Sequence, residues 1–181
     1  MHPYLSIVIP VYNSQNYLKQ TVLTLKQVLE TFDKGWEIIL VNDGSSDKVW
    51  DVIQDLYSDD PQHIIAICLT KNYGQHNALM CGFKYASGQY IITMDDDGQH
   101  VASDIFKLLK EIEHGSYDVV YGVFDKRFFS FWRNTGSFLI NLFYQKVFKT
   151  RVRLSAFRII TKEIINEILS YNLNYTFIDG L

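Results

Sequence analysis

Three consecutive aspartates, Asp95, Asp96 and Asp97, have the clearest potential for chemistry in this sequence of 181 residues. They follow a short apolar run, residues 90–94, that is typical of a buried strand. Alternate residues of an extended chain point to opposite faces, so we expect Asp95 and Asp97 to share one side and Asp96 to face away. Like charges this close repel, and a hard divalent cation, typically also bound by substrate phosphates, would relieve that repulsion. The triplet therefore predicts a metal site, with a solvated acidic turn as the alternative.

Two further polar clusters follow predicted strands, at residues 10–13 and at residues 42–47. In a doubly wound sheet such strand ends converge on one crevice with the aspartate triplet. There Asp43 could accept hydrogen bonds from a base or ribose, while Asp95 and Asp97 hold a metal on a diphosphate. The sequence contains no dinucleotide-binding glycine fingerprint, P-loop, zinc-protease motif or nucleophile elbow, which excludes those enzyme classes.

Strands and helices alternate along the chain, which predicts an α/β fold with a mostly parallel sheet and helices on both faces. Strands are predicted at residues 5–11, 37–41, 64–69, 90–94, 118–123 and 154–160, with a further run at 175–178. Helices are predicted at residues 16–31, 49–56, 77–85, 105–112, capped by Ser103, and 162–169. The length and the 48% hydrophobic content fit one globular domain. Cys68 and Cys81 stand in apolar surroundings and are predicted to be reduced core residues.

The charge is distributed unevenly. Residues 126–162, hereafter the acid-free segment, contain nine of the 17 Lys and Arg residues, many aromatic residues and no Asp or Glu. This composition favours an anionic partner, and a membrane surface, a phospholipid-like substrate and nucleic acid all qualify. A packed aromatic helix with a solvated cationic face is the alternative. The sequence has no run of about 18 apolar residues, so no membrane span is predicted.

Four segments together resemble family 2 glycosyltransferases of the GT-A fold. They are residues 9–13 (IPVYN), 41–47 (VNDGSSD), 71–78 (KNYGQHNA) and 94–97 (MDDD). The third segment, with Gly98 and Gln99 after the triplet, is similar to the polyprenyl-phosphate branch of that family. This branch includes dolichol-phosphate mannose synthases, undecaprenyl-phosphate glucosyltransferases and aminoarabinose transferases. The resemblance covers roughly residues 4 to 165.

The resemblance implies a metal-dependent, inverting transfer of a sugar from a nucleoside-diphosphate sugar, UDP-linked, to a polyprenyl phosphate of the undecaprenyl type. Residues 1–125 would form the nucleotide-sugar half and residues 126–181 an acceptor-side segment, truncated where the family continues toward the membrane. Mn²⁺ or Mg²⁺ would be the cofactor. The longer protein would work on the cytoplasmic face of the inner membrane, this chain would be soluble, nucleic acid would not be a partner, and a homo-oligomer is left open.

The resemblance also assigns roles to residues. Asp97, Arg133 and Arg158 would be catalytic, and the metal ligands would be Asp95, Asp97 and Gln99, with Asp97 as the direct ligand. The nucleotide sugar would contact Pro10, Tyr12, Asn13, Asp43, Asp95 and Asp96. The acceptor phosphate would contact Arg127, Arg133 and Ser137.

Some positions depart from the family pattern. Ala156 replaces the acid that precedes Phe-Arg, which a lipid phosphate tolerates because it is already an anion near neutral pH. His100 stands where the family has a two-proline turn, and we interpret it as a solvent-facing histidine, with a role in the site as the alternative. Two alternatives stay open: a family 2 transferase with a soluble or polysaccharide acceptor, and a nucleotide-sugar-binding module without catalysis.

Overall fold

One sheet of six strands organises the computed structural model, which describes residues 3–98, 100–123 and 155–170. The strands are β1 (Leu5–Val11), β2 (Trp36–Asn42), β3 (Ile64–Cys68), β4 (Tyr90–Thr93), β5 (Val119–Tyr121) and β6 (Arg158–Thr161). Their order across the sheet is β3-β2-β1-β4-β6-β5. Strands β1 to β4 pair in parallel, whereas β6 is antiparallel to both β4 and β5. The predicted α/β fold with a mostly parallel sheet is confirmed.

Helices cover both faces of this sheet, as predicted. They are α1 (Leu18–Leu29), α2 (Val49–Asp59), α3 (Gln75–Tyr85), α4 (Asp104–His114) and α5 (Lys162–Ser170). The apolar sides of α1, α2 and α4 share one core with alternate residues of β1, such as Ile7 and Ile9. The helices α3 and α5 cover the other face, where Val8 is buried. The period-two alternation of β1 therefore supplies both cores.

Helix α3 lies close to the sheet because Gly82 has no side chain. A Cβ atom at this position would lie 2.4 Å from Cγ1 of Val8 and 3.2 Å from Cγ2 of Val41. Glycine costs helix stability relative to alanine, so its presence in the interior of α3 reflects this close contact with β1.

Several local predictions need correction. Cys68 is exposed at the end of β3, and Cys81 is only partly buried, although burial raises the pKa of its thiol. Helix α3 begins at Gln75, two residues before its predicted start. Ser103 precedes α4 as predicted, but its side chain makes no capping hydrogen bond.

Among the described residues, no helix is long and apolar enough to cross a membrane.

Part of the sequence-based assignment concerns residues that the structure does not describe. Gln99, Arg127, Arg133, Ser137 and the run at residues 175–178 lie outside the described residues. What the fold does establish is the meeting of three strand ends. Strand β1 pairs with β2 on one side and β4 on the other, so the polar segments that follow these strands lie side by side.

Candidate active site

A cavity of about 390 Å³ opens where β1, β2 and β4 end. It contains all three aspartates of the triplet and three further residues that were predicted from the sequence. Its lining residues are Pro10, Val11, Tyr12, Asp43, Asn72, Gly74, Gln75, Asp95, Asp96 and Asp97. The predicted crevice therefore exists, and the segment that precedes α3, which contains Asn72 and Gly74, also lines it.

The aspartate triplet does not alternate as expected. Strand β4 ends at Thr93 and the chain bends from Asp96 to Gly98, where Gly98 has a φ of +70°. Because the extended conformation has ended, all three aspartates line the cavity. The backbone N–H of Tyr12 donates to Oδ2 of Asp96 at 3.1 Å, so this carboxylate is held at the end of β1. The prediction that Asp96 faces away is wrong.

The negative charges of the triplet influence one another. Burial raises the pKa of the Asp96 carboxyl, and the charge of Asp95 raises it further, whereas the hydrogen bond from the backbone N–H of Tyr12 opposes the change. Repulsion between neighbouring carboxylates is what a bound cation relieves.

The oxygen atoms of Asp95 and Asp97 are ligands of the type that Mg²⁺ and Mn²⁺ prefer. Among the described residues, no group of three His, Cys, Asp or Glu side chains is placed to hold a metal ion alone. Mg²⁺ is commonly bound by one or two carboxylates together with substrate phosphates, and the two aspartates fit that mode.

Two side chains approach Asp95 from different directions. Nε2 of Gln75 donates to Oδ1 of Asp95 at 2.9 Å. Nε2 of His100 lies 3.6 Å from Oδ2 of the same carboxylate, and the His100 side chain is only 8% exposed. The imidazole stacks on Phe157, with the ring centroids 4.9 Å apart. The interpretation of His100 as a solvent-facing histidine is therefore wrong, because the ring of Phe157 offers it a buried stacking surface.

Asp43 is buried in the cavity wall, with 3% of its surface exposed. Its Oδ1 accepts the backbone N–H of Tyr73 at 2.8 Å, and its Oδ2 accepts that of Gly74 at 2.9 Å. Next to it, Gly44 has a φ of +64°, and a Cβ atom there would lie 2.2 Å from the carbonyl carbon of Lys71. Asp43 and Gly44 together hold the loop that precedes α3 against the end of β2.

Asn13 connects two loops and does not line the cavity. It adopts a positive φ of 53°, its backbone N–H donates to Oγ of Ser45 at 3.0 Å, and its Oδ1 accepts the N–H of Ser46 at 2.9 Å. These contacts join the end of β1 to the turn after β2. A structural role for Asn13 is thus visible, and its contact with the nucleotide sugar stays a prediction.

Arg158 is buried at the start of β6, with 2% of its surface exposed. In the sheet it lies opposite Thr93 on one side and Tyr121 on the other, and its guanidinium carbon is 5.8 Å from the centre of the Tyr121 ring. Burial lowers the pKa of Arg158, while Tyr121 and Asp95 act in the opposite direction. Burial and the charge of Arg158 also lower the pKa of His76. The catalytic role of Arg158 stays a prediction.

The model of the protein family described as "Glycosyl transferase family 2" matches residues 6–169. The chain belongs to glycosyl transferase family 2. This places it in an enzyme family of the glycosyltransferase class, as the four sequence segments indicated.

A curated relative in this family is the undecaprenyl-phosphate 4-deoxy-4-formamido-L-arabinose transferase of Salmonella choleraesuis (strain SC-B67). It is 40% identical over 141 residues, which cover 78% of this chain and 43% of that protein. The same protein of Salmonella newport (strain SL254) matches to the same extent. The chain therefore spans less than half the length of the curated relatives that it matches.

Solved structures confirm the GT-A fold. The mannosyltransferase PcManGT from Pyrobaculum calidifontis, in complex with GDP-Man and Mn²⁺, has a TM-score of 0.68 and 16% identity, covering 93% of this chain and 47% of that one. Glucosyl-3-phosphoglycerate synthase from Mycobacterium tuberculosis, in complex with Mn²⁺ and UDP-glucose, has a TM-score of 0.62 and 15% identity, covering 90% and 57%.

Sequence reasoning missed Asn72, Gly74 and Gln75 as residues of this family 2 site, although their segment was recognised as a motif. The glycine at position 74 of the segment 71–78 was the signal that could have identified them. Gly74 has a φ of +91°, a backbone conformation that favours glycine, and this turn places Gln75 at the start of α3 facing Asp95.

Proposed function

We propose that this chain is the donor-binding and catalytic part of an inverting glycosyltransferase. It transfers a sugar from a nucleoside-diphosphate sugar to a polyprenyl phosphate, with UDP as the leaving nucleotide. The observation that carries the proposal is the cavity at the ends of β1, β2 and β4, which Tyr12 and Asp43 line together with Asp95 and Asp97. The relative at 40% identity, named for its action on undecaprenyl phosphate, supports the acceptor class.

On the donor side, the exposed ring of Tyr12 offers a surface on which a base can stack, beside Pro10. Asp95 and Asp97 would hold the divalent cation together with the donor diphosphate. Such an ion stabilises the negative charge that develops on the departing diphosphate. The carboxylates of this chain would position the reacting groups, and the buried guanidinium of Arg158 would contribute a positive charge that interacts with the charge of Asp95.

On the acceptor side, the chemistry suits a nucleophile that needs no base. A lipid phosphate is an anion near neutral pH, so the absence of an acid at Ala156 does not prevent attack on the anomeric carbon. The resemblance to polyprenyl-phosphate enzymes assigns the binding of this phosphate to Arg127, Arg133 and Ser137. Arginine side chains form strong charge-assisted hydrogen bonds with phosphate oxygens.

The test is a transfer assay with UDP- and GDP-sugars, Mn²⁺, and either undecaprenyl phosphate or 3-phosphoglycerate as acceptor. We expect Asp97→Asn to lower donor binding in Mn²⁺ by at least about tenfold, whereas Arg133→Ala lowers transfer and leaves donor binding intact. The matched controls are Asp55→Asn, an exposed position on α2, and Arg153→Ala in the acid-free segment.

Each alternative function has its own outcome in this assay. Transfer to 3-phosphoglycerate but not to undecaprenyl phosphate would establish a soluble acceptor. Mn²⁺-dependent binding of a nucleotide sugar with neither transfer nor hydrolysis of the donor would favour a binding module. Equal UDP affinity of the wild type and Asp97→Asn in Mn²⁺ would contradict the metal assignment.

A further inference from the structure

We propose that Gln75 and His100 are positioning residues that hold the Asp95 carboxylate in one orientation for the donor diphosphate and its cation. This inference rests on the proposed function and adds two residues to it. Neither residue was assigned a role by the sequence motifs. Both approach Asp95 from segments that are themselves fixed, and they approach different oxygen atoms.

Gln75 approaches from helix α3. Its Nε2 donates to Oδ1 of Asp95 at 2.9 Å, within the range of a normal hydrogen bond. The residue before it, Gly74, is fixed in two ways: its N–H donates to Asp43, and its carbonyl accepts the N–H groups of Asn77 and Ala78. The backbone on which Gln75 stands is therefore anchored to the end of β2 and to the first turn of α3.

His100 approaches from the loop after β4. Its Nε2 lies 3.6 Å from Oδ2 of Asp95, and its ring stacks on Phe157. Phe157 is 1% exposed and its carbonyl accepts the N–H of Gly122 at 2.9 Å. A Cβ atom at Gly122 would lie 2.4 Å from the Phe157 ring, so this ring packs directly on the backbone after β5. The stacking surface for His100 is thus fixed by the pairing of β5 and β6.

The chemistry of the donors matters as much as their placement. An ionised carboxylate has about four lone-pair sites on its two oxygen atoms, so the contacts with Gln75 and His100 leave sites for a cation. The amide of Gln75 is neutral and orients Asp95 without cancelling its charge. A lysine or arginine at this position would compete with the cation for the same carboxylate. Outer partners of this kind typically change metal affinity by about 10- to 100-fold when they are removed.

The test measures nucleotide affinity by calorimetry on this chain, with UDP and with GDP, in Mn²⁺ and in EDTA. We expect Gln75→Leu to weaken Mn²⁺-dependent binding by about tenfold or more and to leave the affinity in EDTA unchanged. Gln75 is exposed, so the variant retains the fold, which circular dichroism checks. The matched control is Gln54→Leu, an exposed glutamine on α2, which should bind like the wild type.

The same substitution in an Asp95→Ala protein shows whether Gln75 positions Asp95 or contacts the nucleotide directly. If Gln75 acts through Asp95, Gln75→Leu causes no further loss of affinity in an Asp95→Ala protein, because the group it positions is gone. An equal loss in both backgrounds would show that Gln75 contacts the nucleotide itself, and would overturn its positioning role.

His100 is tested with two variants. His100→Phe retains a ring that can stack on Phe157 but removes the nitrogen near Asp95, so it should weaken Mn²⁺-dependent binding in the wild-type background only. His100→Gln restores a polar side-chain nitrogen near Asp95 and should recover part of the loss. Wild-type affinity of His100→Phe would overturn the role of His100. A wild type that binds neither nucleotide in Mn²⁺ would overturn the proposed function and this inference together, whereas tight wild-type binding with unchanged variants overturns this inference alone.

Discussion

At the scale of single residues, Asp43 and Asp47 use their carboxylates in the same way but at different places. Asp43 accepts the N–H groups of Tyr73 and Gly74 in the cavity wall. Asp47 accepts the N–H groups of Gln15 and Val49, at 3.0 Å and 3.1 Å, outside the residues that line the cavity. Removal of the Asp47 carboxylate takes an acceptor from both of its backbone donors. Removal of the Asp43 carboxylate leaves the Tyr73 N–H without that acceptor, while the Gly74 N–H retains Oδ1 of Asn72 at 3.0 Å.

This comparison leads to a prediction for Asp43→Ala. Loss of the two hydrogen bonds should lower the free energy of unfolding by about 1–3 kcal/mol, measured by urea denaturation. It should also weaken UDP binding, because the loop that carries Gly74 and Gln75 loses its anchor. Asp47→Ala is the matched control and should lose comparable stability with little change in UDP affinity. Unchanged stability of Asp43→Ala combined with lost UDP binding would show that Asp43 contacts the nucleoside rather than the loop.

Residue types and spacing predicted where the site lies but not which atoms each side chain contacts. The apolar runs before residues 10–13, 42–47 and 95–97 were sufficient to place these segments at one edge of the sheet. The orientation of Asp96 was predicted wrongly because it depends on where β4 ends. The burial of His100 was missed because it depends on Phe157, which lies 57 positions later in the sequence.

At the scale of elements, alternation of apolar runs and helical spacing predicted the strands and helices well in the described residues. The position of β6 between β4 and β5 did not follow from the sequence, because strand order depends on long-range pairing and not on local pattern. Gly82 is similar: its sequence neighbourhood fits an ordinary helix interior, and only the packing of α3 on β1 shows why a side chain is excluded.

A double-mutant cycle tests that packing. Gly82→Ala should destabilise the protein, because the overpacking cost of about 1–3 kcal/mol exceeds the gain in helix propensity of at most about 1 kcal/mol. Val8→Ala removes the methyl group that the new Cβ meets, so its cost should be smaller in the Gly82→Ala background by about 0.5–3 kcal/mol. Urea denaturation of the four proteins measures this coupling.

The control for this cycle is Val22→Ala, a buried residue of α1 in the core on the opposite face of the sheet. Its cost should be the same with and without Gly82→Ala, since distant sites are additive. If the cost of Val8→Ala, like that of Val22→Ala, is the same with and without Gly82→Ala, the contact between α3 and β1 at Gly82 is contradicted.

At the scale of the whole molecule, opposite charges are separated along the chain. All 20 acidic residues lie outside the acid-free segment, together with only eight of the 17 Lys and Arg residues. The acidic triplet belongs to the first group, and the residues proposed for the acceptor phosphate belong to the second. The cation that accompanies the donor and the anionic lipid acceptor would thus each meet a part of the chain with complementary charge.

The last prediction concerns binding to an anionic membrane surface. Vesicles with about one third phosphatidylglycerol should bind this chain at low salt and release it at about 0.5 M salt, because each Lys or Arg near such a surface contributes about 1 kcal/mol and salt screens that attraction. Replacement of Lys146, Lys149 and Arg151 by Gln should lower the fraction that sediments with vesicles by more than about tenfold. The matched control replaces three exposed lysines of the described residues, Lys19, Lys48 and Lys110, and should have little effect. Equal losses for the two triple variants would show that net charge alone, and not the acid-free segment, directs the chain to the surface.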